Sequence, residues 1–277
     1  MRIGFVTAVQ LGFDCLEEIE RLGGNLNLLI TLDDDTAKKK SGRVQLDEYA
    51  NRTGVPLHKT QHINEPATIK AIREANLDYL LVIGWSQLVA PEVFPHVKRA
   101  LLGMHPTQLP EGRGRAPIPW TILKGLKQSG VSMFELRPEV DSGDIMAVES
   151  FDVDPDETAT RLYEKASQAH VTLIRRTWPD IIAGTLRGQP QDESKATHWP
   201  QRSPADGEIT EQMSLEEIDR LVRATTRPYP GAFLINDGKK LIIWSGNIIE
   251  IGKSQFDLRL LVRGDHCYEP IDYQWDE

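Results

Sequence analysis

The chain has 277 residues, 40% of them apolar and 26% charged, and a formal net charge of −9. That length supports one large or two smaller domains with an ample core, and two distant cysteines, Cys15 and Cys267, exclude a disulfide-stapled scaffold and suit a reducing compartment. Residues 188–277 hold 10 Lys and Arg against 16 Asp and Glu, which argues against a nucleic-acid partner, because phosphate binding needs the opposite balance.

The opening MRIGFVTA has one basic residue and reads as a buried strand over residues 2–8, not a signal peptide. No later run approaches the roughly 20 apolar residues that span a bilayer, so a soluble, cytoplasmic protein with no membrane partner is expected. Residues 13–22 read as an amphipathic helix through Leu16, Ile19 and Leu22, and residues 26–32 as a second strand. Residues 33–43 are polar and read as a loop, with a solvated charge run at 38–40. Helix, strand and helix follow over 44–53, 55–59 and 65–75. Residues 79–83 (YLLVI) are continuously apolar, as a central strand buried on both faces would be. Residues 100–104 form the next strand. Strand alternating with helix implies right-handed crossovers and a mostly parallel sheet.

The pattern then changes. Residues 119–127 read as a helix, and 130–137 and 143–153 as two adjacent strands closing the sheet. Residues 157–183 read as one long helix, with Leu162, Ala166, Ala169 and Leu173 in a buried stripe. The Pro-, Gly- and polar-rich segment after Gly188 marks a boundary, dividing the chain into 1–187 and 188–277. Beyond it, Ser214-Leu-Glu-Glu217 is a capping-box pattern opening a helix that turns Ile218, Leu221 and Val222 inward. Residues 232–235, 240–244, 247–251 and 258–262 alternate with turns such as Asn236-Asp-Gly238, giving a small β-rich subdomain.

The chemistry concentrates between Gly103 and Asp144, in GMHPTQLPEGRGRAPIPW followed by DSGD. His105 directly follows a buried strand, and in open α/β sheets the ligand crevice lies at the carboxyl ends of the strands. An imidazole there is placed for proton transfer, and Asp141, 36 residues on, could fix its tautomer and stabilise its charged form. On residue chemistry alone these readings stay open. A His after a strand is more often structural than catalytic, Asp141 and Asp144 could cap a turn, and the loop with Arg113 and Arg115 could be a solvated turn.

These residues resemble the folate-dependent formyltransferase family: a His at a strand end, then Leu109-Pro110, then Arg113-Gly114, then Asp141-Ser-Gly143, in that order. The resemblance continues through Arg202-Ser-Pro, Leu221-Val-Arg-Ala224 and Arg227-Pro-Tyr-Pro-Gly-Ala-Phe233, which is similar to the sugar N-formyltransferases that act on UDP-4-amino-4-deoxy-L-arabinose. It covers nearly the whole chain. It implies a Rossmann-like α/β domain with a small C-terminal barrel-like subdomain. It implies 10-formyltetrahydrofolate as cosubstrate and the amino group of a nucleotide-linked sugar as acceptor. It also implies His105 and Asp141 as catalytic residues, and a folate pocket involving Trp85, Ser86, Gln87, Leu88, Leu109, Arg113, Gly114 and Asp144. A homodimer is compatible with it. No GxGxxG occurs, so a dinucleotide is not indicated. The other histidines lack metal-ligand spacing, so no metal is expected.

One departure matters. The family places Asn two residues before the catalytic His, and Gly103 stands there in this chain. Loss of one donor to a developing oxyanion typically costs about 10²–10³ in rate. Gly103→Asn is therefore expected, from the sequence, to raise turnover. Methionyl-tRNA formyltransferase, a formyl-folate hydrolase and a catalytically impaired folate or nucleotide-sugar binder are the competing readings. Trp85 reads as pocket wall or core before a catalytic group, and Tyr229 and Phe233 as packing of the C-terminal subdomain before base stacking.

Overall fold

The computed structural model describes residues 1–37, 43–254 and 261–276. The charge run at 38–40 and residues 258–260 of the strand expected at 258–262 lie outside the described residues. The chain forms two compact units, each assembled from three stretches. The first comprises Met1–Arg113, Gly130–Ser150 and Ala166–His198; the second comprises Gly114–Ser129, Phe151–Lys165 and Trp199–Glu277.

In the first unit, β1 (Ile3–Val6), β2 (Leu28–Leu32), β3 (Leu57–Thr60), β4 (Tyr79–Val82) and β5 (Ala100–His105) pair in parallel, in the order β3-β2-β1-β4-β5. Between them lie α1 (Gln10–Arg21), α2 (Asp34–Ala37), α3 (Asp47–Thr53) and α4 (Pro66–Ala75). Strands β1, β2 and β4 are buried at every residue, because helices on both sheet faces leave no wet side. Phe5, Leu29, Ile30, Leu80 and Leu81 are among the least exposed side chains. The loop expected over 33–43 begins instead with α2, where the Asp33 carboxylate accepts the Thr36 amide at 2.7 Å and nucleates one turn.

Next come β6 (Arg113–Gly114), α5 (Pro117–Leu123), β7 (Gln128–Glu135) and β8 (Ile145–Asp152). Strand β7 runs antiparallel to β5, and β8 is the outer strand of the seven. Helix α5 starts at Pro117, whose missing N–H costs nothing at a first turn, and stops short of the expected Lys127 because Gly125 turns the backbone at φ 61. The long helix α6 (Ala159–Ala183) buries Leu162, Ala166, Ala169 and Leu173, the stripe read from the sequence. Strand β9 (His198–Trp199) pairs with β6.

The second unit contains α7 (Leu215–Thr225) and an antiparallel sheet, β10 (Ala232–Asn236), β11 (Lys239–Glu250), β12 (Val262–Arg263) and β13 (His266–Asp276), in the order β10-β11-β13-β12. The capping box is formed: Ser214 Oγ accepts from Glu217 N at 3.2 Å, and Glu217 Oε2 accepts from Ser214 N at 2.8 Å. Ile218, Leu221 and Val222 pack on Leu234, Leu241, Ile243 and Tyr268. The two strands expected at 240–244 and 247–251 are one strand, β11. Ser245-Gly246 looks like a break in the sequence, but the ladder continues through it with a register shift. Gly246 pairs there with Pro270, which has no N–H to donate, and β13 has no counterpart in the sequence reading.

Among the described residues, no helix is long and apolar enough to cross a membrane, and no group of three His, Cys, Asp or Glu could hold a metal ion. Cys15 and Cys267 are both free and buried, and burial pushes the Cys15 thiol far up, away from reactivity.

Candidate active site

His105 is the last residue of β5, and Gly103, two positions earlier, lies on the same face of that strand. The imidazole is largely buried. Its Nε2 stands 2.8 Å from the carbonyl oxygen of Gly112. A carbonyl only accepts, so this contact assigns a proton to Nε2 and, in the neutral ring, leaves Nδ1 as the acceptor. Asp141 Oδ2 lies 3.7 Å from that Nδ1, with the two side chains only 10% and 14% exposed. The separation is longer than a hydrogen bond. The carboxylate acts here as a charge facing the ring nitrogen.

Asp141 occupies the turn between β7 and β8 in the left-handed region, at φ 54, where Asp is one of the few side-chain-bearing residues commonly found. Two residues on, Gly143 passes so close to β7 that a β-carbon would sit 1.8 Å from the Glu135 carbonyl oxygen; only glycine lets the turn fold back. The turn is held from a third element. Gln191 Nε2 donates to the carbonyl oxygens of Asp141 (2.8 Å) and Gly143 (2.7 Å). Gln191 Oε1 in turn accepts from Arg113 Nε (3.1 Å) and Nη2 (2.7 Å), and Arg113 also donates to both Glu193 carboxylate oxygens at 2.9 and 2.6 Å. The Arg113 guanidinium holds the Glu193 carboxyl below the usual carboxylate range.

The surroundings of Gly103 are filled. A β-carbon there would lie 2.7 Å from Leu136 Cδ2 and 3.3 Å from Phe134 Cε1. The side chain of Leu136, which follows β7, occupies the space into which a residue-103 side chain would project. Behind the site, the buried His170 imidazole of α6 donates from Nδ1 to the Ala166 carbonyl at 2.7 Å. Burial pushes its pKa down to about 4, so it is neutral near pH 7.

The segment from Gly84 to Leu88 leaves the carboxyl end of β4. Strand order reverses between β4 and β1, which is where open α/β sheets leave a crevice. Trp85 packs beside Ala8 and Leu32, and its buried Nε1 has no hydrogen-bond partner. Gln87 is tied down, Oε1 accepting from Ile63 N at 2.9 Å and Nε2 donating to Gln61 O at 2.8 Å. Ser86 and Leu88 are exposed, and the Leu88 carbonyl accepts from Asn64 Nδ2 at 2.9 Å. Leu109 is buried, with its amide donating to Ser132 Oγ at 3.0 Å. Gly114 approaches the Trp199 carbonyl at positive φ, where a β-carbon would come within 2.4 Å. Asp144 Oδ1 accepts from Arg137 Nη2 at 2.9 Å.

The structure therefore places His105 and Gly103 on one face of β5 and brings Asp141 to the His105 ring from the turn between β7 and β8. Trp85 and its neighbours lie at the end of the adjacent strand β4. Arg113 is engaged with Gln191 and Glu193, and Asp144 with Arg137. The sequence reading missed Gln191, Glu193, Gly112 and Leu136. Gln191 and Glu193 lie in a Pro- and Gly-rich stretch read only as a boundary, and nothing in local spacing marks a residue that acts across the fold.

Comparison with known proteins matches this architecture. Residues 24–177, more than half of the chain, fit the family model described as formyl transferase, and residues 202–257 fit the formyl transferase C-terminal domain. Methionyl-tRNA formyltransferase from Clostridium thermocellum superposes with a TM-score of 0.68 at 20% identity, covering 100% of this chain and 99% of that one. An N-formyltransferase from Helicobacter canadensis, solved with folinic acid and dTDP-3-aminofucose, gives 0.70 at 17% identity over 97% of both chains. HypX from Aquifex aeolicus gives 0.68 at 18% identity over 92% of this chain, which spans only 39% of HypX. At these identities the superpositions show a shared fold. With both of its domain models matched in order along the sequence, the chain belongs to the formyl transferase family.

Proposed function

We propose that this protein transfers a formyl group from 10-formyltetrahydrofolate to the amino group of a nucleotide-linked sugar. The observation that carries the reading is the His105–Asp141 pair at the end of β5, with the ring proton assigned to Nε2 by the Gly112 carbonyl. The folate supplies a carbon at the formyl oxidation level. Trp85, with an unpartnered buried Nε1 at the strand-reversal crevice, suits a polar heteroaromatic ring there, with Gln87 and Leu88 framing the loop.

The acceptor amine attacks as a neutral nitrogen and must lose a proton as the bond to carbon forms. His105 Nδ1 accepts that proton, the Asp141 carboxylate stabilises the imidazolium that results, and the same proton then passes to the folate nitrogen as its bond to the formyl carbon breaks and tetrahydrofolate leaves. The Leu136 side chain fills the strand face beside Gly103. No side-chain donor stands at position 103, so the imidazolium meets the negative charge developing on the formyl oxygen. A sugar acceptor is favoured over tRNA because the chain is acidic, at −9. The likeness to a protein solved with a dTDP-linked aminosugar supports the same choice.

The test uses 10-formyltetrahydrofolate with a panel of amino-sugar nucleotides, aminoacylated methionyl-tRNA, and water (read as formate release). A sugar nucleotide should be formylated. His105→Ala and Asp141→Asn should each lower kcat by about 10²-fold or more with unchanged melting curves. Wild-type turnover in either variant would remove the pair from the reaction. Formylation of tRNA alone would replace the acceptor, and folate binding without turnover would make the chain a binder.

A further inference from the structure

We infer that Gln191, anchored by Arg113, is a positioning residue for the catalytic pair: its amide holds the Asp141 turn so that the carboxylate faces His105. The inference rests on the function proposed above, but the geometry behind it is independent of any acceptor.

The Asp141 turn is closed locally by Ser142 Oγ, which donates to the Glu139 carbonyl at 3.0 Å, and by Glu135 N, which donates to the Asp144 carbonyl at 2.9 Å. Asp141 itself is in the left-handed region, and Gly143 folds back against the Glu135 carbonyl. The direction of a side-chain carboxylate carried on such a turn depends also on what holds the turn from outside. Gln191 holds it with both hydrogens of one amide nitrogen, one to the Asp141 carbonyl and one to the Gly143 carbonyl, so that it brackets Ser142. The amide oxygen cannot rotate away, because Arg113 Nε and Nη2 both donate to it. This also fixes which end of the Gln191 amide is nitrogen: guanidinium groups only donate and carbonyls only accept. Arg113 is in turn clamped by the bidentate Glu193 pair, with its own side chain only 4% exposed.

The same stretch of chain serves the histidine. Arg113 follows Gly112 directly, and the Gly112 carbonyl sets the His105 tautomer. The Gly112 amide donates to Thr197 Oγ1 at 2.8 Å, and the Arg113 amide donates to the Thr197 carbonyl at 2.9 Å. Segment 189–197 thus supports both halves of the pair at once. It holds Asp141 through Gln191, and it holds the carbonyl that faces His105 through Thr197. An arginine in the glycine-rich loop, which the resemblance would assign to the cosubstrate, has its guanidinium donors directed at this support.

Gln191→Glu separates this role from a general structural one. The substitution keeps the side-chain volume and an oxygen for Arg113, but removes both N–H donors to the turn. The full-length variant should melt close to wild type. Its kcat should fall about tenfold to a hundredfold, while KM for 10-formyltetrahydrofolate stays within about twofold, because a misplaced catalytic group costs rate rather than binding. In an Asp141→Asn background, Gln191→Glu should cost almost nothing further, since Gln191 acts through Asp141. Crystal structures of wild type and variant should show the His105 Nδ1 to Asp141 Oδ2 distance growing beyond 3.7 Å.

An unmoved turn, or a full additive loss in the Asp141→Asn background, would overturn the positioning role. If Gln191→Glu fails to fold, Gln191→Ala is read the same way. Failure of the function itself is distinguishable. There, wild type would formylate no acceptor in the panel, and yet the turn would still move in the Gln191→Glu crystal.

Discussion

The parallel sheet of the first unit and the antiparallel sheet of the second bury their side chains by different rules. Strands β1, β2 and β4 are buried at every position, and the apolar set runs on without alternation. In β11 and β13 buried and exposed residues intermix, so that Leu241 and Ile243 are inside while Ile271, Tyr273 and Trp275 remain exposed. A sheet covered on both faces has only its strand ends open to ligand, and the candidate catalytic groups are found at the end of β5. A sheet with one wet face has no such obligation and tolerates a long strand with a register shift and a proline.

Three experiments press on that contrast. The largest effect should come from truncating the doubly covered sheet. Leu29→Ala removes a side chain with no exposed surface and should cost about 2–5 kcal/mol of unfolding free energy. Gln274→Ser, exposed on the face of β13 opposite Tyr273 and beside Ile242, should stay within about 0.5 kcal/mol. Equal urea midpoint shifts for the two would erase the distinction.

Gly103→Asn comes second. From sequence alone it is expected to raise turnover by restoring a donor. The structure sets a condition on that expectation, because the new β-carbon would lie 2.7 Å from Leu136 Cδ2, the end of a half-buried side chain that must move aside. Unless it does, overpacking costs about 1–3 kcal/mol, and turnover should stay level or fall. Gly103→Asn with Leu136→Ala should recover much of the stability. A single-variant gain in kcat would mean that Leu136 yields without cost.

The smallest effect is pH-dependent. Glu18 of α1 accepts from Arg21 and Arg175, Arg21 first, and these bonds hold its carboxyl down to about 2 from an ordinary 4.5. A depressed folded-state pKa stabilises the fold above the unfolded value, and that stability drains as pH falls from 4.5 toward 2. Both arginines are more than half exposed, so screening limits the contribution to about 1 kcal/mol. Urea midpoints at pH 5 and pH 3 should converge for wild type and Glu18→Gln at the lower pH. A constant gap would locate the effect elsewhere.

Local pattern determined much of this molecule. Continuous apolar runs specified β1, β2 and β4, the three-and-four spacing specified α6, and Ser214 with Glu217 specified the start of α7, since each depends on neighbours within a turn or a strand. The candidate pair was legible too, because His105 and Asp141 sit in a recognisable order along the chain. What neighbours in sequence do not record is what crosses the fold. The merging of β11, the strand β13 carrying Pro270, and the three-stretch make-up of each unit depend on pairings across tens of residues. So do the filling of the Gly103 face by Leu136 and the grip of Gln191 on the Asp141 turn. Those contacts exist only once packing brings distant segments to within a few ångströms, and only the tertiary structure decided them.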